Sequence, residues 1–179
     1  MEEVAHPLRV CLTGAESTGK TELARELAGH FGAPRVPEYS REYAERAARE
    51  LSYMDVYPIA RGQMELEQRA SAGARDLVIL DTDLLSTVVY SRHHFGACPI
   101  MVESLARTRL ADLYLLLDVD VPWVADPVRD SGATRDSLHE LFCSVLDEFG
   151  ATVRTIAGAW DERLRRAVKV IEVARIASS

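Results

Sequence analysis

The 179-residue sequence contains no asparagine and only two lysines, Lys20 and Lys169. Switch GTPases recognise guanine through an N-K-x-D segment, so the absence of asparagine argues against that class. Arginine carries most of the positive charge, yet the net charge is −7 and the isoelectric point is near 5.3. Broad nucleic-acid binding needs clustered lysine and arginine that displace counterions from phosphates. We therefore expect a small-molecule partner and no nucleic acid.

Cysteines are few and long apolar runs are absent. Cys11, Cys98 and Cys143 are widely spaced and form no C-x-x-C pair, which argues against a disulfide framework or a zinc knuckle. The longest apolar run, Leu113–Leu117, is far below the roughly 20 residues of a membrane-spanning helix. The first seven residues lack the basic and apolar regions of an export signal. We expect a cytoplasmic protein with reduced thiols and no membrane attachment.

Short apolar runs alternate with helical patterns along a chain whose length suits a single domain, residues 1–179. Apolar residues recur at spacings of three, four and seven between these runs, as on one face of a helix. Such alternation predicts an α/β fold with a mostly parallel five-stranded sheet and helices on both faces. The predicted strands are Leu8–Thr13, Ala33–Pro37, Leu77–Leu80, Leu113–Leu117 and Ala151–Ile156.

Residues 14–21, GAESTGKT, match the pattern G-x-x-x-x-G-K-[ST] between a predicted strand and a predicted helix. In such a P-loop the backbone wraps phosphate groups, Lys20 reaches the outer phosphates and the Thr21 hydroxyl binds Mg²⁺. A glycine-rich turn with helix caps is the less favoured alternative. The pattern predicts an ATP site in a P-loop kinase-like three-layer sandwich. The backbone expected to hold the phosphates belongs to Gly14, Ala15, Glu16, Ser17, Thr18, Gly19 and Lys20.

Two aspartates follow the third predicted strand in the segment LVILDTD. Asp81 lies directly at the end of this buried strand, where a P-loop protein holds the carboxylate for Mg²⁺, normally through water. Asp83 opens the next helix and has two possible roles. It is either the N-cap of that helix or a second carboxylate that faces the acceptor.

The segment VPEYSREY, after the second strand, supplies candidates for the acceptor side. Glu38 is placed to orient or deprotonate an acceptor hydroxyl, but a glutamate in a first helical turn is equally expected. Tyr39 and Tyr43 lie one helical turn apart and are either part of a ring-binding pocket or part of the core. Both alternatives remain open at this level.

Residues 121–135, VPWVADPVRDSGATR, contain two prolines and a glycine and are expected to form a lid over the phosphates. Arg129 and Arg135 would neutralise charge on the transferring phosphoryl group, unless they are solvated surface arginines. Trp123 and Asp126 are candidates for substrate contact, and Trp123 is equally well explained as a hydrophobic plug.

Several motifs occur in the order found in the ribosylnicotinamide kinase domain of the NadR family, which the sequence resembles from Leu8 to Ile171. The resemblance implies phosphorylation of the 5′-hydroxyl of nicotinamide riboside by ATP and Mg²⁺, to give nicotinamide mononucleotide for NAD salvage. It also implies that Gly158 and Trp160 border the adenine and that Arg41 belongs to the substrate site. The motifs are GAESTGKTELARELA, PEYSREY, RGQMELE, DTDLLST, DLYLLLDVDVPWVADPVRD and IAGAWDER.

Two positions depart from the family pattern. Relatives have a tryptophan and a tyrosine that sandwich the nicotinamide, where this sequence has Pro37 and Met64. Tyr39 or Trp123 would then have to supply an aromatic face for the cationic ring. Another nucleoside, a nucleic-acid 5′ end or a non-catalytic nucleotide sensor therefore stay open as alternatives, as do the oligomeric state and the choice between ATP and GTP. No adenylyltransferase or helix-turn-helix segment is recognisable, so a stand-alone kinase is expected.

Overall fold

The computed structural model describes residues 6–120 and 134–177. Their five strands form one parallel sheet in the order β2-β3-β1-β4-β5, as the sequence predicts. The strands are β1 (Leu8–Thr13), β2 (Arg35–Val36), β3 (Leu77–Asp81), β4 (Leu113–Leu117) and β5 (Val153–Ile156). The helices are α1 (Lys20–Phe31), α2 (Tyr39–Ala47), α3 (Val56–Gly73), α4 (Leu84–Phe95), α5 (Ile100–Thr108), α6 (Arg135–Glu148) and α7 (Trp160–Ala177), and a 3-10 turn spans Tyr53–Asp55.

Side chains of β1 alternate between two separate apolar clusters, one on each face of the sheet. Val10 and Leu12 pack with apolar residues of α1 and α7, whereas Cys11 packs with those of α3 to α6. This alternation follows from the two-residue repeat of a β-strand. The result is the three-layer arrangement expected from the sequence.

The second strand is much shorter than the predicted run Ala33–Pro37. Only Arg35 and Val36 pair with β3. The flanking prolines, Pro34 and Pro37, have no N–H group to donate to the sheet, which explains the short strand.

The register of the sheet brings the ends of β1 and β3 together. Leu12 lies opposite Asp81, and Thr13 on the other side lies opposite Leu116 of β4. Ligands of open parallel sheets bind beyond these carboxyl ends, where the chain leaves the sheet in opposite directions. The P-loop, Asp81 and the start of α2 therefore share one edge. Within the described ranges, none of the helices combines the length and the apolar character that crossing a membrane requires.

Candidate active site

The backbone of residues 14–19 takes a shape that requires both glycines of the motif. Gly14 and Gly19 have φ values of +126° and +87°, in the region that residues with a side chain rarely adopt. A Cβ atom on Gly14 would lie 2.9 Å from the carbonyl oxygen of Leu117, and one on Gly19 would lie 2.7 Å from the ring of Trp160. The loop is thus packed between the end of β4 and the start of α7.

Lys20 begins α1 and is folded back over this loop. Its Nζ donates to the carbonyl oxygens of Gly14 at 2.8 Å and Ala15 at 2.6 Å, and Thr18 Oγ1 donates to Ala15 at 2.8 Å. Gly19 is the N-cap of α1 and, having no side chain, makes no side-chain cap hydrogen bond. The ammonium and the helix N-terminus therefore face the same side of the loop, as phosphate binding requires.

Asp81 is buried, with 2% of its surface exposed, at the end of β3. Its Oδ2 lies 3.7 Å from Nη1 of Arg35, while Oδ1 has no hydrogen-bond partner among the described residues. Burial raises the pKa of Asp81, and interaction with the Thr21 hydroxyl lowers it in opposition. A buried carboxylate oxygen beside an exposed threonine hydroxyl suits Mg²⁺, which takes one or two carboxylates together with waters and substrate phosphates. The described ranges hold no group of three or more metal-binding side chains, and this mode of binding needs none.

Asp83 caps α4, one of the two roles considered from the sequence. Its Oδ1 accepts from the N–H groups of Leu85 at 3.0 Å and Ser86 at 3.4 Å. The hydroxyl of Tyr114 donates to Oδ2 at 2.5 Å. Burial raises the pKa of Asp83, and these hydrogen bonds act against that rise. Both oxygens are thus engaged by the protein, and its other role, facing the acceptor, stays a prediction.

A cavity of about 920 Å³ lies beside the P-loop, between α2, α3 and α4. Glu38 and Arg41 line it, as does the side chain of Glu16 from the P-loop itself. Glu38 is the N-cap residue of α2, and its Oε1 accepts from Ser40 Oγ at 2.7 Å. The volume falls within the range of small-molecule pockets. The candidate base and the phosphate loop therefore border one common space.

The two tyrosines of α2 lie outside the set of residues that line this cavity. The ring of Tyr39 packs against Gly62 of α3 so closely that a Cβ atom there would lie 1.9 Å from Cε1 of the ring. The hydroxyl of Tyr43 donates to Asp55 Oδ1 at 2.9 Å. Both side chains are half-buried, the ring of Tyr39 against α3 and the hydroxyl of Tyr43 against Asp55. Contact of either tyrosine with a substrate remains a prediction, and neither residue lines this cavity.

The start of α7 meets the P-loop, and the adenine role that the resemblance implies for this segment stays a prediction. Gly158 has a φ of +101°, and its N–H donates to Asp120 Oδ2 at 2.6 Å. The ring of Trp160 covers Gly19. Arg135 is buried at the start of α6, and its Nη2 donates to the carbonyl oxygen of Ser17 at 3.4 Å. The other predicted lid residues, Trp123, Asp126 and Arg129, lie outside the described residues.

Arg163 is a site residue to which the sequence reasoning gave no role. Its side chain is completely buried, and Nη1 donates to the carbonyl oxygen of Thr18 at 3.1 Å. Nε donates to Gly158 at 2.9 Å, and Nη2 donates to Asp118 at 3.0 Å and to the carboxylate of Asp120. One guanidinium thus joins the P-loop, the end of β4 and the adenine-side loop. The sequence did contain a signal for this role. Arg163 precedes Ala167 and Ile171 at spacings of four residues, so it lies on the buried face of α7.

Tyr90 is the second residue that sequence reasoning missed. It lines the cavity together with Ser86 and His94, which are four residues away on either side along α4. Its hydroxyl donates to Glu16 Oε2 at 3.0 Å. Ser86, Tyr90 and His94 follow the DTD segment at spacings of four residues, which predicts that they share one face of a helix.

The positions that differ from the family pattern do not wall the cavity. Pro37 is exposed, and Met64 packs against the apolar cluster of α3 to α6. Neither side chain is among the residues that line the 920 Å³ space.

Comparison with known proteins places these features in a family. Residues 9–163 match the family described as the AAA domain. The trifunctional NAD biosynthesis/regulator protein NadR of Escherichia coli is 30% identical over 171 residues, covering 90% of this chain and 41% of that protein. A solved NadR structure in complex with NR has a TM-score of 0.80 at 28% identity, and one with NAD and AMP-PNP has 0.76 at 28%. Both matches cover 93% of this chain. The match covers 51% of the NadR chain in the complex with NR and 49% of the NadR chain in the complex with NAD and AMP-PNP.

The chain therefore spans less than half the length of that curated relative. The match nevertheless runs through the P-loop, the DTD strand end and Arg163, and the P-loop kinase-like fold expected from the sequence is confirmed. This chain belongs to the AAA domain family of P-loop nucleotide-binding proteins, and its predicted likeness to NadR is confirmed.

Proposed function

We propose that this protein is an ATP-dependent kinase that phosphorylates the 5′-hydroxyl of nicotinamide riboside to give nicotinamide mononucleotide. The observation that carries the proposal is the cavity that opens onto the P-loop, lined by both Glu16 and Glu38. A phosphate-binding loop and an acceptor pocket that share a wall are the arrangement that direct transfer between two small molecules needs. The likeness to NadR structures with NR and with AMP-PNP supports both ligands.

The charge of the cavity agrees with this acceptor. Four carboxylates line it, those of Glu16, Glu38, Glu45 and Glu50, against two guanidinium groups, those of Arg41 and Arg49. Both terminal nitrogens of the Arg49 guanidinium are engaged by Asp55 at 2.8 Å. An excess of negative charge attracts a pyridinium ring and disfavours acceptors that already carry phosphate.

The residues of the site divide the work of transfer. The backbone N–H groups of the P-loop and Lys20 bind the phosphates, and Thr21 and Asp81 would hold Mg²⁺, which neutralises phosphate charge when bound. Glu38 accepts the proton of the 5′-hydroxyl while the acceptor oxygen forms its bond to the γ-phosphorus and the bond to the ADP oxygen breaks. Arg135, with Arg129 of the predicted lid, stabilises the charge on the transferring group.

We propose roles for the other predicted site residues as well. Arg41 contacts the riboside from the cavity wall, and Gly158 and Trp160 border the adenine. Asp83 caps the N-terminus of α4, and a direct role for its carboxylate at the acceptor hydroxyl is the alternative to Glu38. Trp123 and Asp126 remain candidates for contact through the lid. A kinase for another nucleoside is the second candidate, because Pro37 and Met64 leave the cavity without the aromatic pair of relatives.

The test is release of ADP from MgATP in the presence of single nucleosides. We expect turnover with nicotinamide riboside well above that with adenosine, cytidine, uridine and thymidine. Preferred turnover of one of the uncharged nucleosides would support the second candidate instead. A rate that no nucleoside raises above ATP alone would contradict both.

A further inference from the structure

Glu16 belongs to the P-loop and also lines the cavity proposed for the acceptor. Its side chain lines the acceptor cavity, and only 5% of its surface is exposed. Its Oε2 accepts from the hydroxyl of Tyr90 at 3.0 Å. The backbone of Glu16 therefore belongs to the nucleotide site, while its carboxylate belongs to the acceptor site.

The ring of Tyr90 is held on two sides. Its edge contacts the fully buried ring of Phe142, with centroids 5.7 Å apart at 81°, and its hydroxyl is fixed by Glu16. His94, one turn further along α4, lies nearly parallel to it at 6.1 Å and 15°. An aromatic side chain fixed in this way loses little freedom when a ligand packs on it. The aromatic wall of the cavity thus comes from α4.

The carboxylate of Glu16 has more influence inside the cavity than the other acidic groups that line it. Glu45 and Glu50 are exposed, so water and salt screen their charges. Glu38 faces the hydroxyl of Ser40 and is the candidate base. A buried carboxylate that touches the edge of an aromatic ring offers two attractions to a flat cation, one by Coulomb interaction and one through the ring face.

We propose that Glu16 and Tyr90 form the specificity-determining pair, which selects an acceptor nucleoside whose base is flat and positively charged. The pair takes the place of the two aromatic residues that Pro37 and Met64 replace. This inference rests on the proposed function for the chemistry, but it also predicts binding that does not depend on turnover.

The first test compares nicotinamide riboside with its reduced form, which has nearly the same size and no charge on the ring. Glu16→Gln keeps the volume and an acceptor for Tyr90 and removes the charge. We expect the KM for nicotinamide riboside to rise about tenfold, while kcat, the KM for ATP and the KM for the reduced riboside stay within about twofold. Glu42→Gln, which removes a charge from the exposed face of α2 outside the cavity, is the matched control.

The second test separates the ring of Tyr90 from its hydroxyl. Tyr90→Phe keeps the ring and is expected to raise the KM for nicotinamide riboside about threefold, whereas Tyr90→Leu is expected to raise it about tenfold. Tyr57→Phe, on α3 outside the cavity, should change neither value. Equal KM values for the charged and reduced ribosides in Tyr90→Leu and in the wild type alike would overturn the proposal.

Titration calorimetry with both ribosides distinguishes failure of this inference from failure of the proposed function. Wild-type protein that binds the charged riboside more tightly, and loses this preference in Glu16→Gln, supports the inference even when no phosphoryl transfer occurs. Binding without preference for the charged form overturns it even when nicotinamide riboside is a substrate. A preference that Glu16→Gln retains also overturns it.

Discussion

The two halves of the site are built in different ways. The nucleotide half consists of backbone and deeply buried groups, among which Lys20 and Arg163 bond to carbonyl oxygens of the loops that they hold. The acceptor half consists of side chains from three helices, and several of them, such as Arg41 and Glu45, are exposed. Backbone geometry recognises any triphosphate, whereas side chains on helices can change without disturbing the sheet. We therefore expect the first half to supply the reaction and the second half to determine the choice of acceptor.

Substitution of Lys20 is expected to have the largest effect, and it should damage the nucleotide half alone. Lys20→Met removes the ammonium that reaches the phosphates, so we expect kcat to fall by at least about 10³-fold and ATP binding to weaken. Lys169→Met, on α7, is the matched control. Rates and calorimetric ATP affinity measure the effect. Unchanged ATP binding in Lys20→Met would remove the distinction between the halves.

Substitution of Arg163 tests whether the nucleotide half is held by one buried cation. Arg163→Met leaves the carbonyl oxygens of Thr18, Gly158 and Asp118 without their donor, so we expect a loss of about 4 kcal/mol in the free energy of unfolding. The free energy of unfolding of Arg163→Lys should lie between those of the wild type and Arg163→Met. An ammonium group cannot donate to all three carbonyl oxygens as the planar guanidinium does. Chemical denaturation measures this, with exposed Arg165→Met as the control.

The kinetics of Arg163→Lys sharpen the comparison further. If this variant folds, the KM for ATP should rise about tenfold while the KM for the acceptor stays near its wild-type value, because the bonds of Arg163 lie on the nucleotide side. Equal increases in both KM values would show that the two halves are coupled through this residue.

Substitution Glu38→Gln, in the acceptor half, should lower kcat and leave the binding of ATP unchanged. Loss of a general base costs about 10²-fold or more in kcat, and the ATP affinity should stay unchanged because Glu38 is proposed to act on the acceptor hydroxyl and not on the nucleotide. Asp83→Asn is the informative comparison, since it caps α4 and should lower stability more than rate. A larger loss of kcat in Asp83→Asn than in Glu38→Gln would reverse these roles.

The smallest expected effect is the change of stability with pH that is caused by Glu67, a buried residue of α3. Burial raises the pKa of Glu67 to about 7, with a further rise from Asp83 and opposing effects from Arg9 and Arg109. The folded protein therefore binds more protons than the unfolded chain between about pH 4.5 and pH 7, so stability falls as the pH rises through this range. We expect a loss of about 2 to 3 kcal/mol.

Denaturation at pH 5 and pH 8 measures this loss in the wild type. Glu67→Gln cannot ionise, so its stability should change less between the two values. A wild type whose stability falls no more between the two pH values than that of Glu67→Gln would contradict the assignment.

The sequence was sufficient to predict the P-loop turn and the strand end at Asp81 because local rules determine them, whereas Arg163 of the same half was missed. Gly14 and Gly19 need positive φ values, and the strand before them and the helix after them are visible as apolar patterns. Asp81 follows from its place at the end of a buried strand. The strand bounds were accurate for the central strands, whereas the two edge strands, the proline-flanked second strand and the fifth strand, are shorter than predicted.

The acceptor half depends on contacts that no local pattern contains. Glu16 and Tyr90 are 74 residues apart and meet only because α4 packs beside the P-loop. Tyr39 looked like a ring-binding residue, yet its ring fills the space above Gly62. The same limit applies to Arg163, whose partners lie 5 to 145 residues away.

The central claim is that the P-loop and the acidic cavity together move one phosphoryl group to a riboside. Mass spectrometry of a single-turnover mixture with γ-¹⁸O-labelled MgATP and nicotinamide riboside tests it most directly. We expect labelled nicotinamide mononucleotide with the phosphate on the 5′ oxygen. Label that remains in ATP, or that appears only in inorganic phosphate, would contradict it.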